Sequence, residues 1–161
     1  MSLHTASVRW KRSEAAFTNG RYSRVHEWRF DGGFTMPASS SPHVVRPPFA
    51  DPACVDPEEA YIAALSSCHM LWFLALAAKA GYVVDGYDDD AEGKMEGDVD
   101  TGASITEVVL RPDVRFSGAK VPDEAAVKEL HHRAHELCFL ARSVKTRIIE
   151  RGTWQHDKGN P

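Results

Sequence analysis

The 161-residue chain has only three cysteines, Cys54, Cys68 and Cys138, too few and too widely spaced to read as a disulfide framework. It has no cluster of basic residues, and a formal charge of −4 gives no electrostatic footprint for nucleic acid. It has no repeats and no low-complexity tract, which excludes solenoids and fibrous arrays. The opening stretch MSLHTASVRWKRSEA carries charges but no apolar core, so no secretory leader is expected. Free thiols without a leader predict a cytoplasmic setting, where a disulfide forms transiently.

One long uncharged run is present. Ala60 to Ala78 contains no Asp, Glu, Lys or Arg and is long enough to span a bilayer. Its middle holds Ser66, Ser67, Cys68 and His69, it opens on Glu58 and Glu59, and it lacks the basic flank that orients a membrane span. The expectation is therefore a fully buried core helix with no membrane role. Asp56 is its N-cap, Pro57 suits the first helical position, Glu59 completes a capping box and Gly81 ends it.

Around that helix the pattern alternates. Thr5 to Lys11, Arg21 to Phe30, Tyr82 to Tyr87, Met95 to Val99, Ile105 to Phe116 and Ser143 to Glu150 read as strands. Asn19-Gly20 signals a hairpin between the first two, and Pro112 marks a bulge or edge. The segment PASSSPHVVRPPFADPACVDP is a long loop whose prolines exclude helix. A second helix starts after Asp123 and runs to about Ala141. Strands broken by two helices make an α+β fold, a single domain over residues 1–151 followed by a flexible tail at 152–161. One small sheet cannot cover an apolar helix on every side, so a homodimer is predicted.

The chemistry centres on two cysteines carried by two different helices. Free cysteine packs readily as a small hydrophobe, and each of Cys68 and Cys138 has that inert reading. Against it, Cys68 sits at the most polar point of an apolar helix, where unsatisfied polar groups are costly. A reactive Cys68 lies too far from its helix N-terminus for the dipole to activate it and needs a cation, with Arg21, Arg24 and Arg46 as candidates and Glu58 as the carboxylate that could hold one. His131, His135 and Cys138 share nearly one helix face and offer a metal reading, without a CxxC or HExxH to support it. His69 reads as a packed histidine, Cys54 as a bystander, and Trp72 and Phe73 as core residues or the lining of an apolar pocket.

DPEEAYIAALSSCHM resembles the segment around the first cysteine of the osmotically inducible protein C and organic hydroperoxide resistance family (OsmC/Ohr). AHELCFLARSVKTRI resembles the family's second cysteine segment. The resemblance runs from the second strand to Glu150. It implies an OsmC-like fold, with antiparallel sheets wrapped around two long central helices in an intertwined homodimer. It also implies a thiol-dependent peroxidase acting on organic hydroperoxides. Cys68 would be the peroxidatic thiol and Cys138 the resolving thiol. Glu58 would hold an arginine over the thiolate, with Arg24 the first choice for that arginine. No bound cofactor is implied, only an external dithiol reductant of lipoyl or thioredoxin type. Asp56 in place of Asn, Phe139 in place of Pro and His69 in place of Phe mark a divergent branch. Two other readings stand beside this one: a dimeric domain binding an apolar ligand without chemistry, and a metal-binding protein.

Overall fold

In a computed structural model, residues 2–13, 17–98 and 100–157 are described, and the chain divides into two compact units, Met1–Ala60 and Tyr61–Pro161.

The first unit carries an antiparallel sheet ordered β1-β2-β3, formed by β1 (Ala6–Arg9), β2 (His26–Phe30) and β3 (Thr35–Ala38). The strands are shorter than the alternation predicts. Arg9 pairs with Glu27, so Asn19-Gly20 turns the chain inside a longer connection instead of closing a two-residue hairpin. Local bonds hold that connection: Trp10 Nε1 donates to the Ser23 carbonyl at 2.8 Å, and Trp10, Phe17 and Tyr22 pack ring on ring. The proline-rich segment is more ordered than a plain loop, because Pro37 lies in β3, an edge strand where a missing N–H costs no ladder bond.

Helix α1 (Pro57–Lys79) begins as its sequence predicts. The Glu59 N–H donates to Asp56 Oδ1 at 2.8 Å, and the Asp56 N–H donates back to Glu59 Oε2 at 3.2 Å. This reciprocal pair satisfies two otherwise orphaned donors and leaves Glu58 free of capping duty. At the other end Gly81 takes φ +80°, its N–H bonds the Ala78 carbonyl, and the Tyr82 N–H bonds the Ala77 carbonyl. That double bond pattern is a Schellman stop, which needs the left-handed backbone glycine adopts without strain.

In the second unit two three-stranded sheets accompany the helices. One is ordered β4-β7-β9, from β4 (Val83–Asp89), β7 (Pro112–Ser117) and β9 (Thr153–His156). The other is ordered β5-β6-β8, from β5 (Glu92–Asp98), β6 (Gly102–Leu110) and β8 (Arg147–Glu150). The expected strand Ile105 to Phe116 is thus two strands in two sheets. Proline opens the second, where no donor is required. The expected antiparallel pairing holds for β4 with β7 and β5 with β6, and the parallel pairs β6 with β8 and β7 with β9 make both sheets mixed. Residues 152–161, read as a flexible tail, contain β9, which Trp154 secures by packing on Phe116. Val99 and residues 158–161 lie outside the described residues.

Helix α2 (Glu124–Leu137) starts on Asp123, whose Oδ1 accepts the Ala126 N–H at 2.8 Å. It stops at Leu137, earlier than expected. Cys138 leaves the helical conformation at φ −63°, ψ 114° while its N–H still bonds the Ala134 carbonyl, and a short 3-10 turn follows at Ala141–Ser143.

The core of this unit has two parts. Phe73 and Ala77 of α1 pack with Val114 and Phe116 of β7 and with Val127, Leu130 and Ala134 of α2. Leu65 packs with Val108 and Leu110 of β6. The expectation of a fully buried α1 is corrected here. Its buried residues are Leu65, His69, Phe73 and Ala77, a single stripe of four-residue spacing. The sheets and α2 offer apolar surface to one side only, so Leu71 stays 61% exposed. By length and composition α1 could cross a membrane. Two of its mid-helix polar groups, Ser66 and His69, nevertheless have hydrogen-bond partners in the second unit.

Candidate active site

The polar centre of α1 resolves into separate partnerships. Ser66 Oγ donates to Asp89 Oδ2 at 2.5 Å, at the end of β4, and Asp89 also accepts the Arg111 N–H. His69 is buried, its Nε2 3.0 Å from Nδ1 of His131 on α2. These partners satisfy Ser66 and His69, two of the polar groups that marked the middle of the helix in the sequence. What distinguishes Cys68 is its direction. It lies one residue before the buried His69, about 100° around the helix, and is half-buried instead of enclosed.

Cys68 opens on an apolar groove of about 530 Å³ lined by Ala64, Ser67, Leu71, Trp72, Ala75 and Phe139. Trp72 and Phe139 meet edge to face, ring centroids 5.5 Å apart at 79°. Trp72 thus lines the groove as one of its two sequence readings allowed. Phe73 does not, being fully buried in the core. Phe139, 67% exposed, escaped the sequence reading as a lining residue, although its position directly after a cysteine was a signal.

Cys138 has the opposite setting. It is 1% exposed at the end of α2, and its sulfur accepts the Ala141 N–H at 3.4 Å. Burial, and then the neighbouring Cys68 thiol, push its pKa up to about 11. The fold therefore brings together two thiols that lie 70 positions apart in sequence, both free. Cys138, removed from water and beside another sulfur, keeps its proton at neutral pH.

The remaining predicted site residues are placed as follows. Glu58 lies in the first turn of α1, ten residues before Cys68 and about 15 Å away along the axis. Its Oε2 is buried with no hydrogen-bond partner among the described residues, an uncommon state for a carboxylate oxygen. Arg24 is held in its own unit. Its guanidinium donates to the carbonyls of Gly20 at 2.7 Å and Tyr22 at 2.5 Å and lies 3.7 Å from the Tyr22 ring centroid. Arg21 and Arg46 are exposed.

The metal reading fares differently. Among the described residues no group of three or more His, Cys, Asp or Glu side chains is arranged to hold a metal ion. His131 turns to His69, stacking at 5.4 Å and 10°, and burial lowers its pKa to about 4. His69 is lowered further, to about 3, by burial and by His131 and His135. The His69–His131 bond was not foreseen from the sequence, because the two residues are 62 positions apart and neither pattern signals the other.

Comparison with known proteins places these residues in a lineage. Residues 50–150 match a family model described as OsmC-like protein. A solved OsmC-like protein of unknown function from Vibrio cholerae is 51% identical, covering 94% of this chain and 99% of its own, with a TM-score of 0.90. An organic hydroperoxide resistance protein from Legionella pneumophila is 12% identical, covering 96% of this chain and 99% of its own, with a TM-score of 0.61. The organic hydroperoxide resistance protein OhrB of Bacillus subtilis is 16% identical, covering 96% and 98%, with a TM-score of 0.58. The likeness to these last two is one of fold. No curated protein matches the sequence.

Proposed function

The chain belongs to the OsmC-like protein family, and from that premise we propose that it is a cysteine-based peroxidase that reduces organic hydroperoxides. The observation that carries this reading is the pairing of Cys68, half-buried at an apolar groove, with the enclosed thiol of Cys138 beside it. The groove suits the organic part of a hydroperoxide, and Cys68 is the one thiol of the pair that such a substrate can reach.

Sulfur chemistry gives the steps. The Cys68 thiolate attacks the outer oxygen of R–O–O–H; an S–O bond forms, the O–O bond breaks, and the alkoxide takes a proton and leaves as the alcohol. The resulting Cys68 sulfenic acid condenses with the Cys138 thiol, releasing water and forming a disulfide. An external dithiol, of lipoyl or thioredoxin type, restores both thiols by exchange and is itself oxidised to a disulfide. Its raised pKa keeps Cys138 protonated until a sulfenic acid stands beside it, which assigns the first attack to Cys68.

In this reading an arginine sits over the thiolate, balances its charge and holds the peroxide oxygens through charge-assisted hydrogen bonds. The buried, unpartnered Glu58 oxygen supports that residue as the arginine's anchor. Arg24 serves as the arginine only after leaving the Gly20 and Tyr22 carbonyls. The protein acts in the cytoplasm as a homodimer, an assembly that would cover the apolar side of α1 left open by its own unit. No bound cofactor takes part.

Consumption of cumene hydroperoxide with a dithiol tests the proposal. Cys68→Ser should abolish it; unchanged turnover would sink the peroxidase reading. If, in addition, apolar compounds raise the melting temperature of both proteins alike, the groove serves binding without chemistry.

A further inference from the structure

Two buried imidazoles play no part in the steps above, yet they join the helices that carry the two cysteines. His69 follows Cys68 on α1. His131 precedes Cys138 by seven residues on α2, two turns back on the same face. The side chains meet at 3.0 Å with ring planes 10° from parallel, and Phe73 packs on the His131 ring at 4.3 Å. The far nitrogen of His131, Nε2, faces Glu150 Oε1 of β8 at 4.0 Å. That orientation favours the His131 tautomer with its proton on Nε2. Its Nδ1 is then the acceptor, and His69 Nε2–H is the donor.

We propose that the His69–His131 hydrogen bond is a positioning device that fixes the rotation of α1 against α2 and so holds the Cys68 and Cys138 thiols side by side. The apolar contacts of Phe73 and Ala77 are non-directional and tolerate rotation of the helix. A hydrogen bond between two rings does not, because it weakens steeply with angle. A turn of α1 about its axis that broke this bond would carry the adjacent Cys68 away from Cys138. Both rings carry depressed pKa values, about 3 and about 4, so the neutral, bonded form prevails throughout the physiological range. Two polar rings buried between the helices are costly unless they bond each other, which also explains their joint burial.

This inference deepens the redox-couple reading and rests on it, but its test needs no peroxide. In a Cys54→Ser background the protein is equilibrated with glutathione. Two protein thiols and one glutathione disulfide give the Cys68–Cys138 disulfide and two glutathione thiols, with atoms and electrons balanced. The equilibrium constant reads how well the thiols are placed. His131→Leu, which removes the acceptor, should lower it about tenfold, and His131→Asn, whose side-chain oxygen replaces Nδ1, should restore it to within about threefold. Phe116→Leu, which loosens the same core without touching the bond, should lower Tm and leave the constant within about twofold. Should His131→Leu not fold, His69→Leu and its rescue by His69→Gln read the same bond from the other helix. A constant unchanged in the Leu variants, or one that follows Tm in all variants including Phe116→Leu, overturns the inference. Loss of the constant in the Leu variants with no hydroperoxide turnover by the wild type would sustain it and reject the peroxidase reading alone.

Discussion

The middle of α1 and the end of α2 each present a cysteine, and they do so in opposite ways. Cys68 sits within a regular helix, half-buried, beside an apolar groove. Cys138 sits where a helix has just stopped, 1% exposed, with its thiol pKa raised by burial and by Cys68. The difference teaches that access and solvation alone can give two chemically identical side chains the different properties that the proposed roles require. In the proposed reaction a hydroperoxide reaches the first thiol, and the second stays protected until the first is oxidised.

The largest expected effect breaks the comparison outright. Cys68→Ser should lower hydroperoxide turnover at least about 1,000-fold, as loss of a nucleophile does. Cys138→Ser should abolish steady-state turnover with a dithiol but keep a single stoichiometric oxidation, seen as one sulfenic acid per chain by dimedone labelling. Equal first-step losses in both variants would erase the division of labour.

The histidine pair between the two helices gives the next effect. Each ring has a folded-state pKa below its ordinary value of about 6.5. As pH falls below that value, the unfolded chain binds protons and the folded one does not. Stability is therefore fully present above about 6.5 and is lost as pH falls toward about 4 for His131 and about 3 for His69. Glu150, at 4.0 Å from His131, works against this loss by favouring the charged ring. Denaturant titrations between pH 7 and 4 should show the decline, and His131→Leu should flatten it.

A smaller effect lies in the second chemical step. Condensation draws on the Cys138 thiolate, whose fraction rises about tenfold per pH unit below its pKa. The disulfide-forming rate of single-turnover experiments should therefore climb across pH 6 to 9; a plateau over that interval would contradict an enclosed, protonated Cys138. The smallest effect concerns the groove. Phe139→Ala should raise KM for cumene hydroperoxide by several-fold, from lost apolar contact, and alter kcat less. An equal response with hydrogen peroxide would show that Phe139 does not contact the organic group.

Much of this contrast was legible in the sequence because it rests on local rules. Asp56 and Glu59 cap α1, and Gly81 stops it, by bonds that span at most five residues. The two cysteine segments were likewise readable as segments. What was not legible is long-range. Nothing local tells that Ile105–Phe116 divides between two sheets at Pro112, or that β8 and β9 add in parallel to β6 and β7. The end of α2 was placed near Ala141 because helical periodicity continues past Leu137. The chain departs where the Cys138 backbone turns extended and its sulfur takes the Ala141 N–H. The burial of α1 was overestimated because composition states how apolar a helix is, and not how much surface its own chain can lay against it.

The most direct test is a mass analysis of the wild-type protein after one equivalent of cumene hydroperoxide, without reductant, by non-reducing peptide mapping. The proposed couple predicts one cross-link, Cys68 to Cys138, with the loss of two hydrogens and with Cys54 still alkylatable. Recovery of Cys68 and Cys138 both alkylatable, or of a cross-link that omits either of them, would contradict it.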